Sequence, residues 1–138
     1  LEVPDFIPNH IGNPDYLVVG LSPSTRVKPF KNGTFARLLV WFKEVDLPTW
    51  DFCNILHEVN ATDIKQIDVE ELKKKCSNRK KIIALGGIVS RALTKYKIPH
   101  HRVDHPSPRN RNLNSKEYEL AMLNELKVYL HGNDSLLR

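Results

Sequence analysis

Cysteine is scarce in this chain of 138 residues: there are two, Cys53 and Cys76, beside a single methionine. They form no Cys-x-x-Cys pair, and no histidine stands around them at the spacing of a zinc site. Reduced, structural thiols in an intracellular setting are therefore expected, with no metal and no other cofactor. No apolar run approaches the length of a membrane span, and no basic-then-apolar signal segment stands at the start. A Gly-x-x-x-x-Gly-Lys phosphate loop, a Gly-x-Ser-x-Gly elbow and a His-Glu-x-x-His helix are all missing, which removes the corresponding nucleotide, hydrolase and metalloprotease readings. Heptads and an exposed apolar stripe are missing too, so a monomer is expected.

The composition that remains is that of an ordinary globular protein, with 41% hydrophobic and 27% charged residues. The length suits one domain over 1–138, a sheet covered by helices, and is too short for two full cores. A net charge of +5 favours an acidic partner, and it suits nucleic acid better than a membrane.

Residues 1–15 carry Pro4, Pro8, Gly12 and Pro14, so neither helix nor strand can propagate there and an extended lead-in is expected. Tyr16 to Gly20 is a continuous apolar run of the kind buried on both faces of a parallel sheet. A basic loop with Lys28, Phe30 and Lys31 follows. The spacing of Phe35, Leu38, Leu39, Phe42 and Val45 then predicts a helix, with Thr34 as N-cap and Pro48 as stop. Trp50–Leu56 reads as a second strand in which Asn54 is the only amide. Asp63 and Asp68 are placed to begin helical turns, and Val69, Leu72 and Cys76 give a helix over 68–77 its apolar side. Lys73, Lys74 and Lys75 fall at its C-terminal end, where the helix dipole favours cations. Lys81–Leu85 is a third strand running into Gly86 and Gly87. Ile88, Val89, Ala92, Leu93 and Tyr96 mark a short helix, and His101–Asp104 a fourth strand. A last helix spans 115–130 on a seam of Leu120, Leu123, Leu126 and Leu130, with Gly132 ending it and a loose tail over 132–138.

Strands alternating with helices imply a three-layer α/β/α fold around a central four-stranded parallel sheet. In such a sheet the ligand lies beyond the carboxyl ends of the strands. The chemically unusual residues fall there: Ser22 after the first strand, Asn54 late in the second, Gly86 after the third and His105 after the fourth. His105 opens the run His-Pro-Ser-Pro-Arg-Asn, whose prolines fix their own φ and push the preceding residues out of the helical region. A turn so stiffened can hold an imidazole in one direction.

Gly20-Leu21-Ser22-Pro23-Ser24 after the first strand and His105-Pro106-Ser107-Pro108-Arg109-Asn110 after the last resemble the paired active-site motifs of the uracil-DNA glycosylase superfamily. The second motif is closest to the single-strand-selective monofunctional branch. The resemblance runs from about Leu17 to Leu126 in the order of elements. It implies a DNA partner and a pyrimidine turned out of the stack into a pocket. It also implies that His105 gives an N–H to the base oxygen on which charge collects as the glycosidic bond breaks. Asn54 would read the pyrimidine edge through its donor and acceptor; read from the residue alone, it is equally a strand-end amide bonding a neighbouring loop. Phe30 falls where the family stacks an aromatic ring on the base, whereas Phe35 belongs to a helical seam. Leu21 would line the base pocket. Ser24, Ser107 and Gly86 would hold phosphates, and Lys31, Arg109 and Arg111 would meet the strand as cations.

Ser22 departs from the family, in which an Asp or Asn usually positions the attacking water. Serine reaches less far and is no general base at ordinary pH. Three readings follow: a glycosylase for uracil or a 5-substituted uracil, a weakened relative that binds a flipped or modified base without releasing it, and an enzyme that modifies such a base in the same pocket.

Overall fold

The computed structural model describes residues 13–22, 33–58, 60–107 and 110–132. The elements are β1 (Tyr16–Gly20), α1 (Gly33–Glu44), β2 (Asp51–Asn54), α2 (Val69–Cys76), β3 (Lys81–Leu85), α3 (Gly87–Lys95), β4 (His101–Val103) and α4 (Lys116–His131). Short 3-10 turns stand at Ile64–Gln66 and Arg111–Asn114. All strand pairs are parallel, in the order β2-β1-β3-β4. Helices cover both faces, so the fold is the three-layer α/β/α arrangement around a four-stranded parallel sheet.

Strand periodicity divides the core. Val18, Ile83, Leu85 and Val103 pack with α1 and α4, whereas Leu17, Val19, Ile82 and Ala84 pack with α2 and α3. Right-handed crossovers explain which helix lies where. The step from β1 to β2 runs one way along the sheet, and the steps to β3 and β4 run the other, so α1 falls on the face opposite α2 and α3.

The helix starts follow their caps. Asp63 accepts from the Lys65 N–H at 3.0 Å, Asp68 from the Glu71 N–H at 3.1 Å and Ser115 Oγ from the Tyr118 N–H at 3.2 Å. Gly132 ends α4 at φ +87°, a conformation that suits glycine. Trp41, absent from the predicted seam of α1, is 1% exposed, and its Nε1 donates to Glu119 Oε2 of α4 at 3.1 Å. A buried indole needs such a partner, and this one ties two helices together. The Phe35 side chain, placed on that seam by the sequence, lies outside the described residues. Tyr129 on α4 accepts the Ile82 N–H at 3.0 Å through its hydroxyl and stacks on His101 with ring centroids 5.0 Å apart.

Several boundaries differ from the sequence expectation. α1 begins at Gly33, so Thr34 lies inside the helix and is not its N-cap, and it ends at Glu44, ahead of Pro48. β2 begins at Asp51, because Trp50 turns into the core against Phe42, with ring centroids 4.8 Å apart. It ends at Asn54, yet the N–H groups of Ile55 and Leu56 still bond the carbonyls of Gly20 and Leu21 at 2.9 Å. β4 stops at Val103, so Asp104 belongs to the turn that follows.

The seam of α4 is corrected as well: Leu120 is 60% exposed, and Met122, Leu123, Leu126 and Leu130 are the buried residues. Steps of three residues drift about 60° around a helix, so a run of leucines at that spacing leaves the buried stripe. Cys53 and Cys76 are free and buried, and burial pushes their thiols up to about 12 and about 11. Both are therefore poor nucleophiles.

Leu126→Ala is expected to cost about 2–5 kcal/mol by denaturant unfolding, and Leu120→Ala less than about 0.5 kcal/mol. Equal losses at the two positions would contradict the placement of the seam.

Candidate functional site

The carboxyl ends of the four strands share one edge of the sheet. Between β1 and β3 the chain reverses its direction of travel along the sheet, and the crevice of an open α/β sheet forms at such a point. Ser22 leaves β1 on one side of this crevice, and Gly86 leaves β3 on the other. Asn54 and His105 stand farther out, at the ends of β2 and β4. With neighbouring strands about 4.8 Å apart, the outer two are separated by roughly 14 Å.

One wall is built on a close approach at Gly20, which pairs with Asn54 in the sheet. A Cβ on Gly20 would lie 2.6 Å from Asn54 Oδ1 and 3.0 Å from Phe52 Cζ. Only glycine leaves room for the amide to lie over the end of β1. Asn54 is half-buried, so the amide keeps solvent access. Phe52 was not singled out by the sequence reading, yet it lies two residues before Asn54 and reaches over the same glycine. The strand period of two is the signal that would have found it. Ser22 is half-buried in the bend after β1, and Leu21 packs partly against the α2 and α3 core cluster.

The opposite wall is the turn after β4. Gly86 has φ +90°, its N–H bonds the Val103 carbonyl at 2.8 Å, and a Cβ there would meet His105 Cβ at 3.4 Å. The imidazole thus stands against the glycine that opens α3. Protein packed behind it disfavours the charged ring and lowers its pKa, while the residue stays exposed on its outer side. Pro106 is buried and Ser107 half-buried. The Ser107 carbonyl accepts from the Asn110 N–H at 3.0 Å and from Arg37 Nη1 of α1 at 3.4 Å. Asn110 is the residue of the motif to which the sequence reading gave no role, and it closes the turn: Nδ2 donates to the His105 carbonyl at 3.2 Å and Oδ1 accepts the Asn112 N–H at 3.1 Å.

Of the remaining expected contacts, Arg111 is exposed on the 3-10 turn Arg111–Asn114. Phe30, Ser24, Lys31 and Arg109 lie outside the described residues. Two further cations escaped the sequence reading: Arg102 Nη2 and Arg91 Nη1 stand 3.2 and 3.4 Å from where a side chain on Gly87 would begin. They fall on different elements, and nothing in the sequence joins them. Among the described residues no group of three metal-ligating side chains is assembled, and no helix is long and apolar enough to cross a membrane.

No protein-family model matches this chain, and no curated protein matches it in sequence.

His105 and His101 both have pKa values lowered by burial below the ordinary histidine value of about 6.5. The unfolded chain therefore takes up protons first as pH falls, and folded-state stability declines from about pH 6.5 downward through the lowered values. A melting temperature that falls between pH 7.5 and 5.5, with a smaller fall in the His101→Gln/His105→Gln variant, is expected. Identical curves for the two proteins would contradict it.

Proposed function

We propose that this protein turns a uracil or 5-substituted uracil out of a DNA strand and hydrolyses its N-glycosidic bond. The observation that carries the reading is the position of His105, held against Gly86 on one wall of the crevice, with Asn54 laid over Gly20 on the other. The motif residues bracket the switch point of a parallel sheet, where a flat ligand enters edge-on.

In the reaction the C1′–N1 bond breaks with its electron pair passing to the pyrimidine, and the sugar becomes oxocarbenium-like. Water forms the new bond to C1′ and gives up a proton, and the departing base takes up a proton in turn. Negative charge spreads from N1 to the ring oxygens, and a neutral imidazole stabilises it by donating one N–H. The lowered pKa of His105 keeps the ring neutral at pH 7. Asn54 offers a donor and an acceptor to the O4 and N3 edge. Excess positive charge suits the phosphates of a strand.

Ser22 favours a second reading. It occupies the bend from which a carboxylate or amide would position water, and a hydroxyl there is a weaker device. With that step impaired, the same crevice holds a flipped or modified base without releasing it.

Single-stranded oligonucleotides carrying uracil, 5-hydroxymethyluracil or hypoxanthine, incubated with the protein and treated with alkali, separate the two. Strand cleavage at the uracil or 5-substituted position is expected. Tight binding with no cleavage on any substrate would overturn hydrolysis and leave the binder. Where cleavage occurs, His105→Ala should lower the single-turnover rate by about two to three decades. Ser22→Asn should raise uracil excision, and a fall would give Ser22 a role of its own.

A further inference from the structure

Asp104 lies immediately before His105, and both its carboxylate and its backbone N–H are held. Its carboxylate receives the Tyr118 hydroxyl at 2.8 and 2.9 Å on its two oxygens, and Asn110 Nδ2 at 3.1 Å on Oδ2. Its backbone N–H points at Met122 Sδ, 3.4 Å away. Tyr118 and Met122 are one turn apart on α4 and so present one face to the chain. The Asn110 amide that binds the carboxylate also binds the His105 carbonyl. Side chain and N–H of Asp104, and the carbonyl of His105, are thus fixed from α4 and from the far end of the turn. The hydrogen bond to the carboxylate raises the Tyr118 pKa, so the phenol stays protonated and remains a donor.

We propose that Asp104, clamped by Tyr118 of α4, is the positioning residue that sets the direction of the His105 imidazole. It touches neither base nor sugar. Gripping the residue before His105 and the carbonyl of His105 itself leaves the short segment between them little freedom to carry the ring away from Gly86. Pro106 restricts the backbone at His105 and after it, and the clamp fixes the chain before it. The inference rests on the reading of His105 as the donor to the leaving base.

The test has one arm that needs no activity. The ring signals of His105 are assigned by their loss in His105→Ala and titrated in the free protein by NMR. In Asp104→Ala the ring should leave its packed position, with its signals shifted and its pKa raised toward the ordinary value. Loss of the neighbouring negative charge alone would move the pKa the other way. Tyr118→Phe keeps the charge and the fold of exposed α4 surface, and a smaller shift of the same sign is expected. His105 signals and titration unchanged in both variants would overturn the proposal.

In the second arm, Asp104→Ala should lower single-turnover excision by about tenfold to a hundredfold, the scale of a misplaced catalytic group, with DNA affinity held within about twofold. Asp104→Asn, which still accepts from Tyr118, should recover part of the rate. In the His105→Ala background, Asp104→Ala should cost nothing further, whereas an undiminished loss there would mean that Asp104 acts otherwise than through His105. Absence of excision on every substrate by the wild-type protein would overturn the proposed hydrolysis, and the NMR arm would still decide the placement of the ring.

Discussion

β1 is hydrogen-bonded along both edges, to β2 and to β3, and its residues Leu17, Val18 and Val19 are buried from both faces. Each of its backbone groups is therefore committed to a neighbour, and each of its side chains to one of two helical layers. A strand in that position cannot shift in register without turning its core residues to the wrong face. The crevice inherits this rigidity, because Gly20 and Ser22 are the next residues along. The carbonyls of Gly20 and Leu21 continue the pairing with Ile55 and Leu56, which carries the order of the sheet past its formal end.

The two walls of the crevice are fixed by different means. At β2 the device is steric: absence of a side chain at Gly20 admits the Asn54 amide and the Phe52 ring. At β4 it is a set of directed hydrogen bonds, in which Asn110 and Asp104 close a turn already constrained by proline. The first wall offers a matched donor and acceptor, and the second a neutral imidazole. Ser22 stands between them with a short hydroxyl, and under the proposed function this crevice is better equipped to hold a planar base and stabilise charge on it than to activate water.

Much of the fold was legible because its signals are local. Apolar runs at Tyr16–Gly20 and Lys81–Leu85 can be little else than strands buried on both faces, and Asp63 and Asp68 announce their helical turns. The carboxyl-end positions of Ser22, Asn54, Gly86 and His105 followed from the alternation of elements alone. What escaped was non-local. Trp41 needed Glu119 on another helix to satisfy its indole N–H, Arg91 and Arg102 both come near Gly87 only because α3 and β4 adjoin, and Asn110 reaches back across the turn. Leu120 misled for the opposite reason: counted back from Leu126, two steps of three residues carry it about 120° around the helix and off the buried stripe.

The hydroxyl of Tyr129 takes up the Ile82 N–H beside the start of β4. β4 pairs with β3 only from Ile83 onward, so this amide is one that the short outer strand does not reach. A side chain here does the work of missing backbone, with His101 stacked on the ring and Lys81 Nζ 4.7 Å from its centroid on the ring face. Lysine beside a sheet edge and a covering aromatic ring both discourage another chain from adding as an extra strand. α4 thereby covers the part of the β3 edge that β4 leaves open, at the end of the sheet opposite the crevice.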